Sequence, residues 1–120
     1  MKTHTRVLII AFSSTVLAVT AGCLNMPTKP AKISPTHVSQ AQYKNFTCKE
    51  LLSERTALSD QEGNLIAAQN ERIKNSKIQG VVFGFGQGDS VAAPELADVK
   101  GRLVAVHESI SNRHCMIQRH

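Results

Sequence analysis

Apolar side chains recur at helical spacing through the middle of the chain, from residue 47 to about residue 79. Leu51, Leu58 and Leu65 stand seven residues apart, a spacing that brings side chains to one face of a helix. The same face is widened by Leu52, Ile66 and Ile73. Polar side chains separate the leucines, at Arg55, Glu62 and Gln69. The pattern predicts one long helix with a thin apolar seam, whose polar positions we interpret as a partly solvated flank.

A capping box marks the start of this helix. Thr47 and Glu50 have the spacing at which each side chain accepts a hydrogen bond from the backbone N–H of the other. Phe46 and Leu51 flank them as a hydrophobic staple does. Gly63 is the unfavourable interior residue, costing ~1 kcal/mol relative to alanine.

A second apolar repeat runs from residue 94 to about residue 116. Pro94 suits the first turn of a helix, where its missing N–H is not needed. Steps of three and four residues separate Leu96, Val99, Leu103, Val106 and Ile110. Such steps are typical of a helix that packs along one seam, and Gly101 within it would let a second helix approach closely.

A glycine-rich stretch, residues 80–93, separates the two patterns. It lacks the lysine of a phosphate-binding loop and the third glycine of a dinucleotide fingerprint. Its apolar residues include Phe83 and Phe85, which belong to neither seam. Two interpretations stay open: the loop folds over the hairpin, or the phenylalanines touch a partner or a membrane. We expect Phe83 to pack and Phe85 to be the contact.

Residues 1–22 have the order of elements found in a lipoprotein signal peptide. A basic head with Lys2 and Arg6 precedes an apolar run that ends in small residues before Cys23. The run is shorter than the ~20 residues that span a bilayer. We predict cleavage before Cys23 and lipid attachment to its thiol, with ordinary secretion and an uncleaved anchor helix as alternatives.

Residues 23–45 predict a flexible, lipidated tether, because prolines alternate there with lysines and serines and no apolar period is present. Leu24 and Asn25 follow the cysteine, where Asp would favour retention at the inner membrane. We therefore expect a lipid-anchored protein of the cell envelope, at the outer membrane facing the periplasm rather than at the inner membrane.

The charge balance is modest. Lys and Arg number 14 against 9 Asp and Glu, for a formal net charge of +5 at pH 7, and two of these cations lie in the basic head. The others are scattered rather than gathered in one stripe. The sequence therefore predicts no nucleic-acid partner.

Two cysteines remain besides Cys23, and an even pair in an oxidising compartment predicts a disulfide. Cys48 lies in the first turn of the first helix and Cys115 in the last turn of the second. An antiparallel arrangement brings both to the same end. We therefore predict an all-α, antiparallel two-helix hairpin over residues 46–120, clamped by one disulfide and carried on the flexible N-terminal tether.

Histidines near the C terminus provide an alternative chemistry. His107 and His114 are seven residues apart and would share a face, with His120 at the end of the chain. No recognised metal-motif spacing is present, and no Ser, His and acid set stands in a catalytic context. We expect no catalytic residue, no cofactor and no enzymatic activity. A metal or small-ligand site at the three histidines remains the alternative.

Short motifs in both helices carry a resemblance. Cys48–Leu51 reads Cys-Lys-Glu-Leu, Asp98–Gly101 reads Asp-Val-Lys-Gly, and Cys115 stands near the C terminus. In these features the chain resembles a class of small uncharacterised proteobacterial lipoproteins. The resemblance implies an envelope lipoprotein with a helical hairpin and implies no activity. We therefore expect a non-enzymatic structural or interaction module, whose partners are the membrane, through its lipid, and another envelope protein or a cell-wall component.

Overall fold

Two antiparallel helices, with an extended segment laid against them, form the fold. The computed structural model describes residues 25–84 and 86–115. Helix α1 spans Cys48–Phe83 and helix α2 spans Ala92–Asn112, and no strand occurs in the described ranges. The predicted all-α hairpin is confirmed.

The N terminus of α1 has the predicted capping box. The Thr47 hydroxyl accepts a hydrogen bond from the backbone N–H of Glu50 at 3.3 Å, and the Glu50 carboxylate accepts one from the N–H of Thr47 at 2.7 Å. These hydrogen bonds from Thr47, backbone first and side chain second, lower the pKa of Glu50. Phe46 packs against the same core cluster as Leu51, as a staple would.

The connection between the helices is shorter than the predicted 80–93. Helix α1 continues through Gly80 to Phe83, because a glycine inside a helix costs only ~1 kcal/mol. It ends at Gly84, which has a φ of 80° and donates its N–H to the Gly80 carbonyl. Helix α2 begins at Ala92 rather than Pro94, since the Ser90 hydroxyl accepts from the Ala92 N–H at 3.3 Å.

A C-terminal turn ends α2 at Asn112, before the predicted 116. The His114 N–H donates to the Ser111 carbonyl, and the Cys115 N–H donates to the Ile110 carbonyl. This pair of bonds is a Schellman motif, which places its central residue in the left-handed region. His114 occupies that position, with a φ of 52°.

The hydrophobic core lies between the helices and includes a residue from the N-terminal segment. Its buried members are Tyr43, Leu51, Leu58, Val99, Leu103, Ala105, Val106 and Cys115. Partly buried side chains that pack against it are Val38, Phe46, Leu65 and Ile110. The seam predicted for α2 is therefore confirmed, and the heptad leucines of α1 face it. One ion pair, Arg102–Glu54 at 2.6 Å, joins the helices within the described chain.

Residues 25–47, which we call the strap, differ from the expected free tether. The strap runs along α2 in the same direction, and the Thr36 N–H donates to the Ala97 carbonyl at 2.9 Å. Near Thr36 it lies on two small residues one helical turn apart, Ala97 and Gly101. A side chain on Gly101 would place its Cβ 1.9 Å from the Thr36 carbonyl oxygen. Gly101 therefore admits the strap, not the second helix that the sequence led us to expect.

Polar side chains of α2 hold the strap by its backbone carbonyls. The Lys100 ammonium donates to the carbonyls of Pro30, at 2.6 Å, and Ile33, at 3.0 Å. The Arg113 guanidinium donates to the Tyr43 carbonyl at 2.9 Å and also reaches the carbonyls of Lys44 and Phe46. These bonds give an irregular segment the partners that a packed backbone needs.

Replacing glycine with alanine at two positions of the hairpin, in separate variants, tests the strap contact. Gly101→Ala should destabilise the fold by roughly 1–3 kcal/mol, as overpacking does, because the new Cβ collides with the strap backbone. Gly63→Ala, where no atom lies within 4 Å of the added Cβ, should instead stabilise the fold by about 1 kcal/mol. Chemical denaturation of both variants provides the measurement, and equal stabilisation by both would contradict the packed strap.

A second prediction concerns the turn after α2. His114→Gly should raise the free energy of unfolding by roughly 1 kcal/mol, because glycine adopts a left-handed conformation without the penalty of a side chain. The matched control is His107→Gly, in the interior of the same helix, which should lower it by about the same amount. A loss of stability in both variants would show that His114 is not held in this conformation.

Candidate functional site

The disulfide closes one end of the hairpin. Cys48 and Cys115 are bonded, with Cα atoms 5.4 Å apart and a sequence separation of 67, so the predicted pairing is present. The Schellman turn of α2 presents Cys115 to the first turn of α1. By the chain-entropy model, closing a loop of this length contributes about 4 kcal/mol.

Gln69 is the centre of the opposite, loop end. Its side chain is 0% exposed, which corrects our interpretation of it as a solvated flank residue. The amide nitrogen donates to the Thr28 carbonyl at 2.9 Å and to the Asp89 carboxylate at 2.8 Å. One buried amide thus joins α1, the strap and the connecting loop.

Two further α1 side chains bind the backbone of the loop. The Arg72 guanidinium donates to the Gly88 carbonyl at 2.7 Å and to the Gln87 carbonyl at 3.0 Å. The buried Ser76 hydroxyl accepts from the Gln87 N–H at 3.1 Å. The loop therefore folds back along α1, and the helix end beyond Ser76 projects past it.

The start of the strap completes this loop-end network. The Asn25 carbonyl accepts a hydrogen bond from the Gly88 N–H at 2.8 Å. Side chains cannot replace the glycines here, because a Cβ on either Gly86 or Gly88 would lie 2.6 Å from an Asn25 oxygen. Gly86 and Gly88 thus allow the backbone of the strap to approach the loop closely.

Asp89 is the titratable group of this network. Its carboxylate accepts from the Thr28 N–H at 2.6 Å and from the Thr28 hydroxyl at 2.7 Å. These two bonds, side chain first, lower the pKa of Asp89, and Gln69 and the Arg72 charge add to the effect. The ionised form of Asp89 is therefore the one that holds the strap.

The two phenylalanines of the glycine-rich stretch have different outcomes. Phe83 is the last residue of α1 and is 66% exposed, which is more than the packing that we expected for it would leave. Phe85 lies outside the described residues.

The structure places two of the three histidines of the alternative metal site. His107 and His114 are both exposed, and His120 is outside the described part. Within residues 25–84 and 86–115, no group of three or more His, Cys, Asp or Glu side chains is placed to hold a metal ion. An open depression of about 410 Å³ is lined by Gln61, Pro94, Glu95, Asp98 and Val99.

The predicted lipid site, Cys23, also lies outside the described residues, two positions before Asn25. Among the helices that the structure describes, none is both long and apolar enough to span a membrane.

Comparison with models of known families, with curated proteins and with solved structures gives no match for this chain.

Sequence reasoning missed the loop-end network, although two signals were present. Gln69 and Ser76 are seven residues apart and lie at half-turn positions of the leucine seam, four residues after Leu65 and Arg72, so the buried face of α1 becomes polar towards the loop end. The small residues at four-residue spacing in α2 also mark a face that another segment can approach closely.

The network predicts a dependence of stability on acid pH. The folded chain binds a proton on Asp89 less tightly than the unfolded chain, so the stabilisation is complete above the ordinary pKa of ~4. It is lost as the pH falls through the lowered value. Asp89→Asn should cost roughly 1–2 kcal/mol at neutral pH and flatten the decline in unfolding free energy below pH ~4.

Asp60→Asn, at an exposed site on α1, is the control and should keep the decline of the unmodified protein. If Asp89→Asn leaves both the neutral-pH stability and the acid dependence unchanged, the Asp89 carboxylate does not hold the strap.

Proposed function

We propose that the protein is a non-enzymatic lipoprotein of the bacterial cell envelope, anchored through lipid on Cys23 and acting as a structural or protein-interaction module. The order of basic head, apolar run and small residues before Cys23 supports the anchor. The Cys48–Cys115 disulfide supports an oxidising compartment. Leu24 and Asn25 after the cysteine favour the outer membrane.

The observation that carries the proposal is the attachment of the strap at the loop end. Because Asn25 is already hydrogen-bonded to Gly88, only Leu24 separates the fixed chain from Cys23. A lipid there would hold the hairpin directly at the membrane, not at the end of a long arm. The position of the anchor therefore determines which end of the hairpin faces the lipid.

The opposite end would then be presented to other envelope components. Helix α1 has 36 residues, so its axis is roughly 54 Å long at the usual rise per residue. The disulfide end would lie at that distance from the C-terminal end of α1 and carries the exposed residues Lys49 and His114. We propose that a second envelope protein or a cell-wall component binds there.

Substitution of the lipid site tests the anchor. Cys23→Ser should abolish incorporation of labelled fatty acid and move the protein from the membrane fraction to the soluble fraction, because the thiol that carries the lipid is gone. The matched control, Cys48→Ser with Cys115→Ser, removes two thiols but should keep the lipid label.

Two results would contradict the proposal. A Cys23→Ser protein that stays in the membrane with its full N terminus would indicate an uncleaved anchor helix. An unmodified protein that is soluble and unlabelled would indicate ordinary secretion.

A further inference from the structure

The last turns of α1 expose an apolar cluster, which we call the tip and define as Ile78, Val81, Val82 and Phe83. Their side chains are 57%, 88%, 63% and 66% exposed, respectively. Ile78, Val81 and Val82 have the spacing that places residues on one face of a helix. Exposing several large apolar side chains together is unfavourable in water, and such clusters mark interaction sites.

The tip lies close to Asn25, the described residue nearest to Cys23 in sequence. Phe83 and Gly86 are three residues apart, which limits their separation to ~11 Å. Gly86 is in close contact with Asn25, whose carbonyl oxygen would lie 2.6 Å from an added Cβ. Cys23 precedes Asn25 by two residues and lies at most ~8 Å from it along the chain. The predicted lipid site and the tip are therefore at the same end of the hairpin.

Positive charge lies directly before the tip along α1. The sequence from residue 72 to residue 88 contains Arg72, Lys74 and Lys77 and no acidic residue. Lys74 and Lys77 are exposed and precede Ile78 and Val81 by four residues, so each lies one turn from an apolar residue on the same side of the helix. Arg72 is occupied by the loop carbonyls, which leaves the two lysines for an outside partner.

We propose that the tip inserts into an anionic phospholipid surface next to the lipid on Cys23, so that the hairpin stands on the membrane with its disulfide end outward. The inference rests on the proposed function, because the lipid on Cys23 supplies the nearby bilayer. Lys74 lies nine residues before Phe83, about 13 Å along the helix axis. Interfacial segments bury apolar side chains ~5–10 Å deep, which puts both lysines at the level of the headgroups.

A bilayer fits these features better than a protein surface does. The apolar residues occupy the end of a projecting helix, Lys74 and Lys77 lie behind them on the same side, and lysine stems can extend to headgroups while the apolar residues stay buried. The short connection from Asn25 to Cys23 also keeps the tip near the lipid. A second copy of the chain or an envelope protein on the tip is the outcome to be excluded.

The test measures the depth of a fluorescent label in the full lipidated chain. Val82→Cys provides a thiol on the tip, since Cys23 would carry lipid and Cys48 is bonded to Cys115. Ala67→Cys, at an exposed site on the same helix, is the control. In vesicles of phosphatidylethanolamine and phosphatidylglycerol, the tip label should be quenched by brominated acyl chains and shielded from aqueous iodide. The control label should respond in the opposite way.

The contribution of Lys74 and Lys77 to insertion is tested with the same label. Lys74→Gln and Lys77→Gln should each reduce the equilibrium constant for tip insertion by roughly fivefold, and vesicles of phosphatidylcholine alone should reproduce the loss. The combined control, Lys44→Gln with Lys49→Gln, removes two exposed lysines at the disulfide end and should leave insertion unchanged.

Three results separate the possible failures. A tip label as open to iodide as the control label, on a chain whose intact mass includes the lipid, would overturn the tip inference alone. Shielding without acyl-chain quenching, together with cross-linking between unlabelled Val82→Cys chains, would overturn it in favour of a second copy. An intact mass that lacks the lipid on Cys23 would instead overturn the proposed function.

Discussion

The contact between the strap and Gly101 is the constraint on which the rest of the structure depends. Only a residue without a side chain lets the Thr36 backbone reach α2, and the Thr36 N–H then bonds to the Ala97 carbonyl. From this point the strap extends to Asn25 at one end of the hairpin and to Tyr43 at the other. A two-helix hairpin buries little apolar area by itself, so the strap supplies the third side of the core.

The two ends of the hairpin are closed by different chemistry. At the end where α1 begins and α2 ends, a disulfide joins Cys48 to Cys115. At the loop end, the apolar seam of α1 gives way to Gln69 and Ser76, and these buried side chains bind loop and strap through hydrogen bonds. Buried amides and hydroxyls are stable only with such partners. The polar end therefore depends on the strap alone for closure, whereas the disulfide end has a covalent bond as well as the strap.

Much of the hairpin could be predicted from local patterns. The capping box at Thr47, the seam of α2 and the pairing of Cys48 with Cys115 follow from short-range spacing and from the parity of the cysteines. The strap could not be predicted in this way, because its proline-rich composition is that of a linker. The strap is ordered because Lys100 and Arg113 donate hydrogen bonds to its backbone carbonyls. Each of these donors lies more than sixty residues from its acceptor in sequence.

The candidate site was predicted only in part, for the same physical reason. Phe83 and the glycines were recognised as unusual, but the glycines serve a close approach by Asn25 that no local pattern indicates. Gln69 was misjudged, since a polar residue on a seam is most often solvated and only the distant Thr28 and Asp89 make its burial favourable. Only the position of the strap shows that the predicted lipid site and the exposed tip belong to the same end of the hairpin.

The account can be tested most directly by amide hydrogen exchange in the strap and the loop of the full chain. The Thr36 amide, bonded to Ala97, and the Gly88 amide, bonded to Asn25, should exchange far more slowly than in an unstructured peptide of the same sequence. Exchange of both amides at the unstructured rate, while the amides of α2 stay protected, would mean that residues 25–47 are a free tether and would contradict the central claim.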